Sequence, residues 1–263
     1  MRGFWNRYCR SLHRRSARIA PALSRLTTAL CIGWAGLFLM AAAFRVIASP
    51  AMLPGALAQV IAVYTAIALA PLAGYTVASR GFSGSLPQLT LRLPPIIGRW
   101  RTLRADDARQ HPLFGPAGFM ASLLVGLLLN VVLRSLEFLL AIPAIGAGGP
   151  QWGEALFLLM AADVGLMAFV YMVCFAFALR NVPLFPRMLL FAWVLDVFLQ
   201  LFIAHRLGAM PGLPADVAAP LAVLLDGNIK KVLISAFVWL PWLILSVRAN
   251  VTFRHRAPAT AGE

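Results

Sequence analysis

Six long apolar runs limit what this chain can fold into more than any other feature. Each approaches or exceeds the roughly 20 residues that an α-helix needs to cross about 30 Å of hydrocarbon. Apolar residue types make up 61% of the sequence and charged types 12%, which is more apolar surface than a soluble domain can bury. A soluble enzyme, a disordered chain and a secreted disulfide scaffold are therefore excluded. The predicted spans are residues 26–48, 54–78, 117–140, 155–178, 188–205 and 229–247.

These runs predict an all-α polytopic membrane helix bundle with six transmembrane helices. Composition changes between the second and third runs, where residues 80–115 contain six arginines and four prolines. This basic stretch is the clearest boundary in the chain. We predict five parts: a basic cytoplasmic N-terminal segment (1–25), a two-helix membrane extension (26–79), a basic cytoplasmic linker (80–115), a four-helix membrane core (116–256) and a cytoplasmic tail (257–263).

The positive charge predicts the orientation of the bundle. The net charge is +14, and basic residues concentrate in alternate loops: seven arginines in 1–25, six in 80–115, two in 179–187 and three in 248–263. Cytoplasmic loops of membrane proteins carry such an excess. Both termini are therefore predicted in the cytoplasm, and the protein in the inner membrane of a bacterium. Orientation accounts for the charge, so nucleic acid is not a predicted partner.

The N-terminal segment 1–25 also predicts a contact with lipid. Aromatic residues fall at helical spacing among its arginines, which suits a helix lying on anionic lipid headgroups. The alternative is a positive segment that only sets orientation. The predicted partners are thus the bilayer, anionic headgroups at the cytoplasmic face, and another membrane protein or a second copy of this chain.

Metal and cofactor chemistry has no sequence signal. The three cysteines and four histidines are scattered, without C-x-x-C or zinc-type spacing. We interpret the cysteines as small buried apolar residues. The sequence predicts no cofactor, no metal site and no catalytic residue.

The end of the chain carries the most distinctive motif. It consists of Trp239, Pro241, Trp242, Ser246, Arg248, Thr252 and Phe253. Over about residues 115–256 the chain resembles the bacterial inner-membrane family known as the domain of unknown function 2569 family. Val247 and Ala249 depart from the family pattern, and residues 1–114 lie outside the resemblance. The resemblance implies a four-helix membrane domain and no established activity.

A second part of the resemblance lies between the fourth and fifth spans. Aromatic, basic and proline residues there are similar to a short loop of the same family. They are Phe175, Phe177, Arg180, Phe185, Pro186 and Arg187.

Four ionisable side chains inside predicted spans form the candidate intramembrane polar cluster: Arg134, Glu137, Asp163 and Asp196. Each costs a few kcal/mol at mid-bilayer. At 1.5 Å per residue, Arg134 lies about 25 Å from the inner edge and Asp163 roughly 12 Å below the outer edge. We therefore predict that Arg134 pairs with Asp163, with Glu137 as a second partner on the same helix face. Asp196 is placed about 12 Å above the inner edge, away from them.

Two functions remain open for these groups. If these groups form buried ion pairs that fix helix register, the protein is a non-enzymatic structural or partner-binding membrane component. If they form a proton or ion path instead, the protein is a small-solute or ion-coupled transporter, which is the alternative. A distant alternative is an intramembrane serine hydrolase, from the motifs Gly81-Phe82-Ser83-Gly84 and Ala204-His205-x-x-Gly208. The predicted topology places Ser83 and His205 on opposite faces, whereas such a pair needs contact at about 3 Å.

Overall fold

A computed structural model describes residues 19–49, 53–82 and 100–259. Most of the N-terminal segment 1–25, residues 83–99 of the linker and the last four residues of the tail lie outside the described residues. The described elements are α1 (Ile19–Ile47), α2 (Pro54–Gly81), β1 (Trp100–Thr102), α3 (Ala105–Gln110), α4 (Phe119–Ala141), α5 (Gln151–Leu179), α6 (Phe185–Gly208), α7 (Ala215–Leu245), α8 (Val247–Arg254) and β2 (Arg256–Pro258).

The long helices form a membrane bundle. Helices α1, α2, α4, α5 and α6 are each long and apolar enough to cross a membrane, and α7 with α8 qualifies as a sixth span broken by a 76° bend. Helices suit this environment because they satisfy their own backbone hydrogen bonds without water. The predicted all-α polytopic bundle is confirmed.

The last span is longer than predicted. The predicted spans 188–205 and 229–247 leave residues 206–228 as the joint between them. Instead, α7 begins at Ala215 and continues without interruption to Leu245. The turn-forming part of the joint ends at Pro214, the N-cap. The Ala- and Leu-rich residues after it favour helix, so they extend the span rather than precede it.

Helix α5 lies at the centre of the bundle and contacts α2, α4 and α6. Its most extensive partner is α2, which approaches closely at Gly74. A Cβ atom at that position would overlap the carbonyl oxygen of Phe169, so only glycine fits. The division into a two-helix extension and a four-helix core stays a prediction, but the second helix packs directly on the predicted core.

A small unit closes one end of the bundle. Strand β1 of the linker pairs antiparallel with β2 of the tail, with Trp100 opposite Pro258 and Thr102 opposite Arg256. The Leu103 N–H donates to the carbonyl oxygen of His255 at 2.8 Å and extends this pairing. The linker and the tail therefore meet at the same end of the bundle.

Candidate functional site

Arg134 of α4 lies at the centre of a buried charge network. Its Nη1 donates to both carboxylate oxygens of Asp196 at 2.8 Å. Its Nη2 donates to both oxygens of Asp163 at 2.7 Å. The exposed side-chain fractions are 9% for Arg134, 1% for Asp163 and 0% for Asp196. One guanidinium thus joins α4 to both α5 and α6, because each of its terminal nitrogens donates charge-assisted hydrogen bonds to one carboxylate.

Neutral side chains complete this network. The Tyr171 hydroxyl donates to Asp196 Oδ2 at 2.8 Å, and Gln200 Nε2 donates to Asp163 Oδ1 at 3.0 Å. Asn228 Nδ2 of α7 then donates to Gln200 Oε1 at 3.2 Å. We call these six residues the buried network: Arg134, Asp163, Tyr171, Asp196, Gln200 and Asn228. It connects four helices, α4 to α7.

The charges of the buried network do not balance. Two carboxylates face one guanidinium, so the fully ionised network carries one net negative charge. Taking charged groups out of water is costly, and only pairing and hydrogen bonding offset the cost. All four carboxylate oxygens accept hydrogen bonds. The network is therefore fully bonded at its acids while keeping an excess of negative charge.

Glu137 lies outside the buried network. It was predicted as a second partner of Arg134, but the structure pairs it with Lys231 of α7 instead. Residues three apart on a helix are offset by about 60°, and this offset turns Glu137 toward α7 while Arg134 faces α5 and α6. Lys231 also reaches Asn228 Oδ1 at 3.5 Å. The Lys231–Glu137 pair therefore borders the network.

The predicted pairing of Arg134 with Asp163 is present in the structure, whereas the predicted separation of Asp196 is not. Asp163 is 12 residues from the first residue of α5, and Asp196 is 12 residues from the last residue of α6. Both therefore lie about 18 Å from the same end of the bundle. The depth of Asp196, measured in residues from the outer end of its span, is the sequence signal for its position beside Asp163.

Tyr171, Asn228 and Lys231 were not predicted as partners from the sequence. Tyr171 follows Asp163 by eight residues, about two helical turns, so both occupy one face of α5. That spacing was a usable signal. Asn228 was assigned to a joint between spans, where polar residues are common and do not indicate a buried contact.

A cleft of about 280 Å³ opens between α4, α6 and α7 and reaches the buried network. Tyr171 contributes to its lining and donates its hydroxyl to Asp196. Polar residues Asn130, Lys231 and Ser235 also line the cleft. It is thus a partly polar recess in a segment of the bundle that is otherwise apolar.

The motif near the end of the chain forms the bend between α7 and α8. Ser246 caps α8, because its Oγ accepts from the Ala249 N–H at 3.4 Å. Asn250 Nδ2 donates to the carbonyl oxygens of Ile244 at 2.8 Å and Ser246 at 3.0 Å. The last carbonyls of a helix lack intrahelical partners. The side chain of Asn250 supplies hydrogen-bond partners for these carbonyls at the break.

Other motif residues attach the bend to the bundle. The Thr252 hydroxyl accepts from the Gly115 N–H at 3.1 Å, and Arg248 Nη1 donates to the Gly115 carbonyl at 3.2 Å. Ring contacts add to this attachment: Phe253 with Phe185 at 4.9 Å, and Trp239 and Trp242 with Phe119 at 4.5 and 5.4 Å. Pro241 lies within α7 just before the bend.

The residues of the hydrolase motifs are not brought together in the described structure. Ser83 lies outside the described residues. Gly81 ends α2 at the same end of the bundle as Arg180, which donates to the carbonyl oxygen of Ser79. His205 is in the last turn of α6, at the opposite end.

Metal ligands and disulfides are absent from the part of the chain that the structure describes. No three His, Cys, Asp or Glu side chains are grouped there so as to hold a metal ion. Cys31 and Cys174 are buried and free, in agreement with their interpretation as small apolar residues.

No protein-family model, curated protein or solved structure matches this chain. The resemblance to the domain of unknown function 2569 family therefore stays a prediction.

Proposed function

We propose that the protein is a non-enzymatic component of the bacterial inner membrane that holds or binds other membrane components. The observation that carries this proposal is the hydrogen bonding of both acids in the buried network to Arg134, whose Nε is buried without a partner. Both terminal nitrogens of Arg134 and all four oxygens of Asp163 and Asp196 bond to one another or to neutral side chains. Groups occupied in this way fix the register of α4, α5, α6 and α7.

A second candidate function is ion-coupled transport. The excess negative charge of the buried network favours binding of a cation, because an uncompensated charge is costly in a low dielectric. The cleft between α4, α6 and α7 leads to Tyr171, which bonds to Asp196. In this proposal Asp163 and Asp196 hold the transported ion, and Glu137, which pairs with Lys231 of the cleft lining, lies near the mouth of the path.

Proton flux into vesicles separates the two functions. The purified protein is reconstituted into liposomes that contain a pH-sensitive dye, and a pH gradient is applied. The structural proposal expects no flux above that of empty liposomes. Flux that Asp196→Asn abolishes, and that the exposed control Asp216→Asn retains, would establish transport and overturn the structural proposal.

We also propose that both termini are cytoplasmic. The pairing of β1 with β2 supports placing the linker and the tail on one side of the membrane, and the excess of arginines in the cytoplasmic loops of membrane proteins makes that side the cytoplasm. Four spans, with α7 and α8 counted as one broken span, lie between the two strands, together with the short α3. An even number of crossings returns the chain to the same side of the membrane.

The proposed membership of the domain of unknown function 2569 family draws support from the roles of its motif. Ser246, Arg248, Thr252 and Phe253 form or anchor the bend between α7 and α8.

A further inference from the structure

The cleft between α4, α6 and α7 has the size and the lining of a small binding site. Its volume of about 280 Å³ exceeds that of a cavity of roughly 150 Å³, which is enough to hold one benzene ring. Leucine side chains form much of its wall, and the rings of Tyr171, Trp193 and Trp239 also line it. Ligand sites in proteins combine such apolar and aromatic walls with a few polar groups. The cleft can therefore hold a ring with short substituents.

Two polar side chains of this lining, Asn130 of α4 and Ser235 of α7, have no hydrogen-bond partner among the described residues. Asn130 lies midway along α4, which runs from Phe119 to Ala141, and is thus about 16 Å from both ends of the helix. A polar group without a partner costs free energy in hydrocarbon. Both side chains therefore favour an occupant that forms hydrogen bonds with them, which an acyl chain cannot do.

The charges around the cleft favour a neutral occupant. Lys231 of the lining pairs with Glu137, so its positive charge is already compensated. The buried network, which Tyr171 of the lining joins, carries an excess of negative charge. The network would repel an anion, and the ammonium group of Lys231 would repel a cation. A phosphate headgroup would in addition have to leave the membrane surface for the middle of the span, at a large desolvation cost.

We infer that the cleft binds the ring of a lipid-soluble quinone. A quinone is neutral and flat, and its carbonyl oxygens accept the hydrogen bonds that the Asn130 amide and the Ser235 hydroxyl can donate. Its ring packs against the aromatic side chains of the lining. Its apolar tail leaves the cleft past Leu129 and Leu133, which line the cleft and are 50% and 48% exposed. Quinone binding rests on the proposed function, in which the protein holds or binds membrane components, and specifies one such component.

Thermal stabilisation of the full chain in neutral detergent tests the site. The protein is titrated with decyl-benzoquinone or with decylbenzene, which has a ring and the same tail but no carbonyl oxygen. The quinone should raise the unfolding midpoint, whereas decylbenzene should have little effect. Asn130→Leu and Ser235→Ala should each raise the half-saturating quinone concentration about fivefold, as expected for the loss of one hydrogen bond. Gly126→Leu should abolish the stabilisation, because Gly126 lines the cleft and has open space around its Cβ position. The matched control is Ser122→Ala, since Ser122 is exposed on α4 and outside the cleft lining.

Several outcomes would overturn quinone binding in the cleft. Equal stabilisation by decylbenzene would show a cleft that accepts any apolar molecule, and displacement of the quinone by excess phosphatidylglycerol would make an acyl chain the occupant. An unchanged response of Gly126→Leu, an equal loss in Ser122→Ala, or no stabilisation by the quinone would also refute the site. If Gly126→Leu fails to accumulate, Asn130→Leu and Ser235→Ala keep the test valid. The liposome flux assay on the unmodified chain tests the proposed function separately, so its failure is distinguishable from the failure of this site.

Discussion

Removing Arg134 should destabilise the bundle more than removing either of its partners. Arg134→Leu leaves Asp163 and Asp196 buried without a cation, and losing one partner of a buried pair costs about 3–5 kcal/mol. Asp196→Asn keeps the shape of the side chain and leaves Arg134 paired with Asp163, a neutral combination. Its cost should be nearer the value for one charge-assisted hydrogen bond, about 1.5–3 kcal/mol.

A triple variant provides the internal control for this comparison. Arg134→Leu combined with Asp163→Asn and Asp196→Asn removes the stranded charges, so it should be more stable than Arg134→Leu alone. Thermal unfolding in detergent measures the order, and a difference of a few kcal/mol corresponds to a midpoint shift on the order of 10 °C. If Arg134→Leu is no worse than Asp196→Asn, or if the three losses add, charge balance does not govern this network.

Three further predictions follow from topology, packing and titration. Reporter fusions should indicate the periplasm at residues 52, 150 and 215 and the cytoplasm at 95, 183 and 260; a cytoplasmic signal at 150 would contradict the six-span topology. Gly74→Leu should lower the unfolding midpoint and the amount of protein in the membrane, because the side chain would overlap the Phe169 carbonyl, whereas Gly33→Leu, with open space around its Cβ position, should have little effect. Burial, and then the charge of Arg109, lower the pKa of His255 below its usual 6.5. The neutral form of His255 therefore stabilises the fold above that pH, and this stability is lost as the pH falls through the lowered pKa. Asparagine tolerates the left-handed backbone at this position, so His255→Asn should flatten the pH dependence of the unfolding midpoint in thermal scans from about pH 7 to pH 5.

The sequence contained enough information for the spans and for the pairing of Arg134 with Asp163, whereas Asp196 was placed at the wrong depth. Lipid offers no hydrogen bonds to the backbone, so a long apolar run has to be helical. Charged groups in such runs have to meet one another, and Arg134, Asp163 and Asp196 do. Glu137 was misplaced because its spacing from Arg134 on the same helix allows contact either with Arg134 or with the neighbouring helix α7. The position of Lys231 on α7 decides between these two partners.

Other features required contacts that no local pattern encodes. The apolar residues of α5 are distributed around the whole helix, so periodicity could not tell which face contacts α2. Strands β1 and β2 have three residues each and lie far apart in the chain, too short for a recognisable alternation. The break at Ser246 depends on side chains from Asn250 and Arg254 that satisfy the freed carbonyls, which is visible only in three dimensions.

The position of Arg134 in the chain has a consequence for biogenesis. Its partners follow by 29 and 62 residues, so α4 enters the membrane before Asp163 and Asp196 are available. An arginine at the centre of a span opposes insertion by about 2.5–3.5 kcal/mol, and each leucine favours it by about 0.3–0.6 kcal/mol. The nine leucines of α4 offset that cost while the arginine is alone. Assembly then proceeds in two steps. The leucines of α4 drive its insertion first, and the ion pairs of Arg134 with α5 and α6 form afterwards.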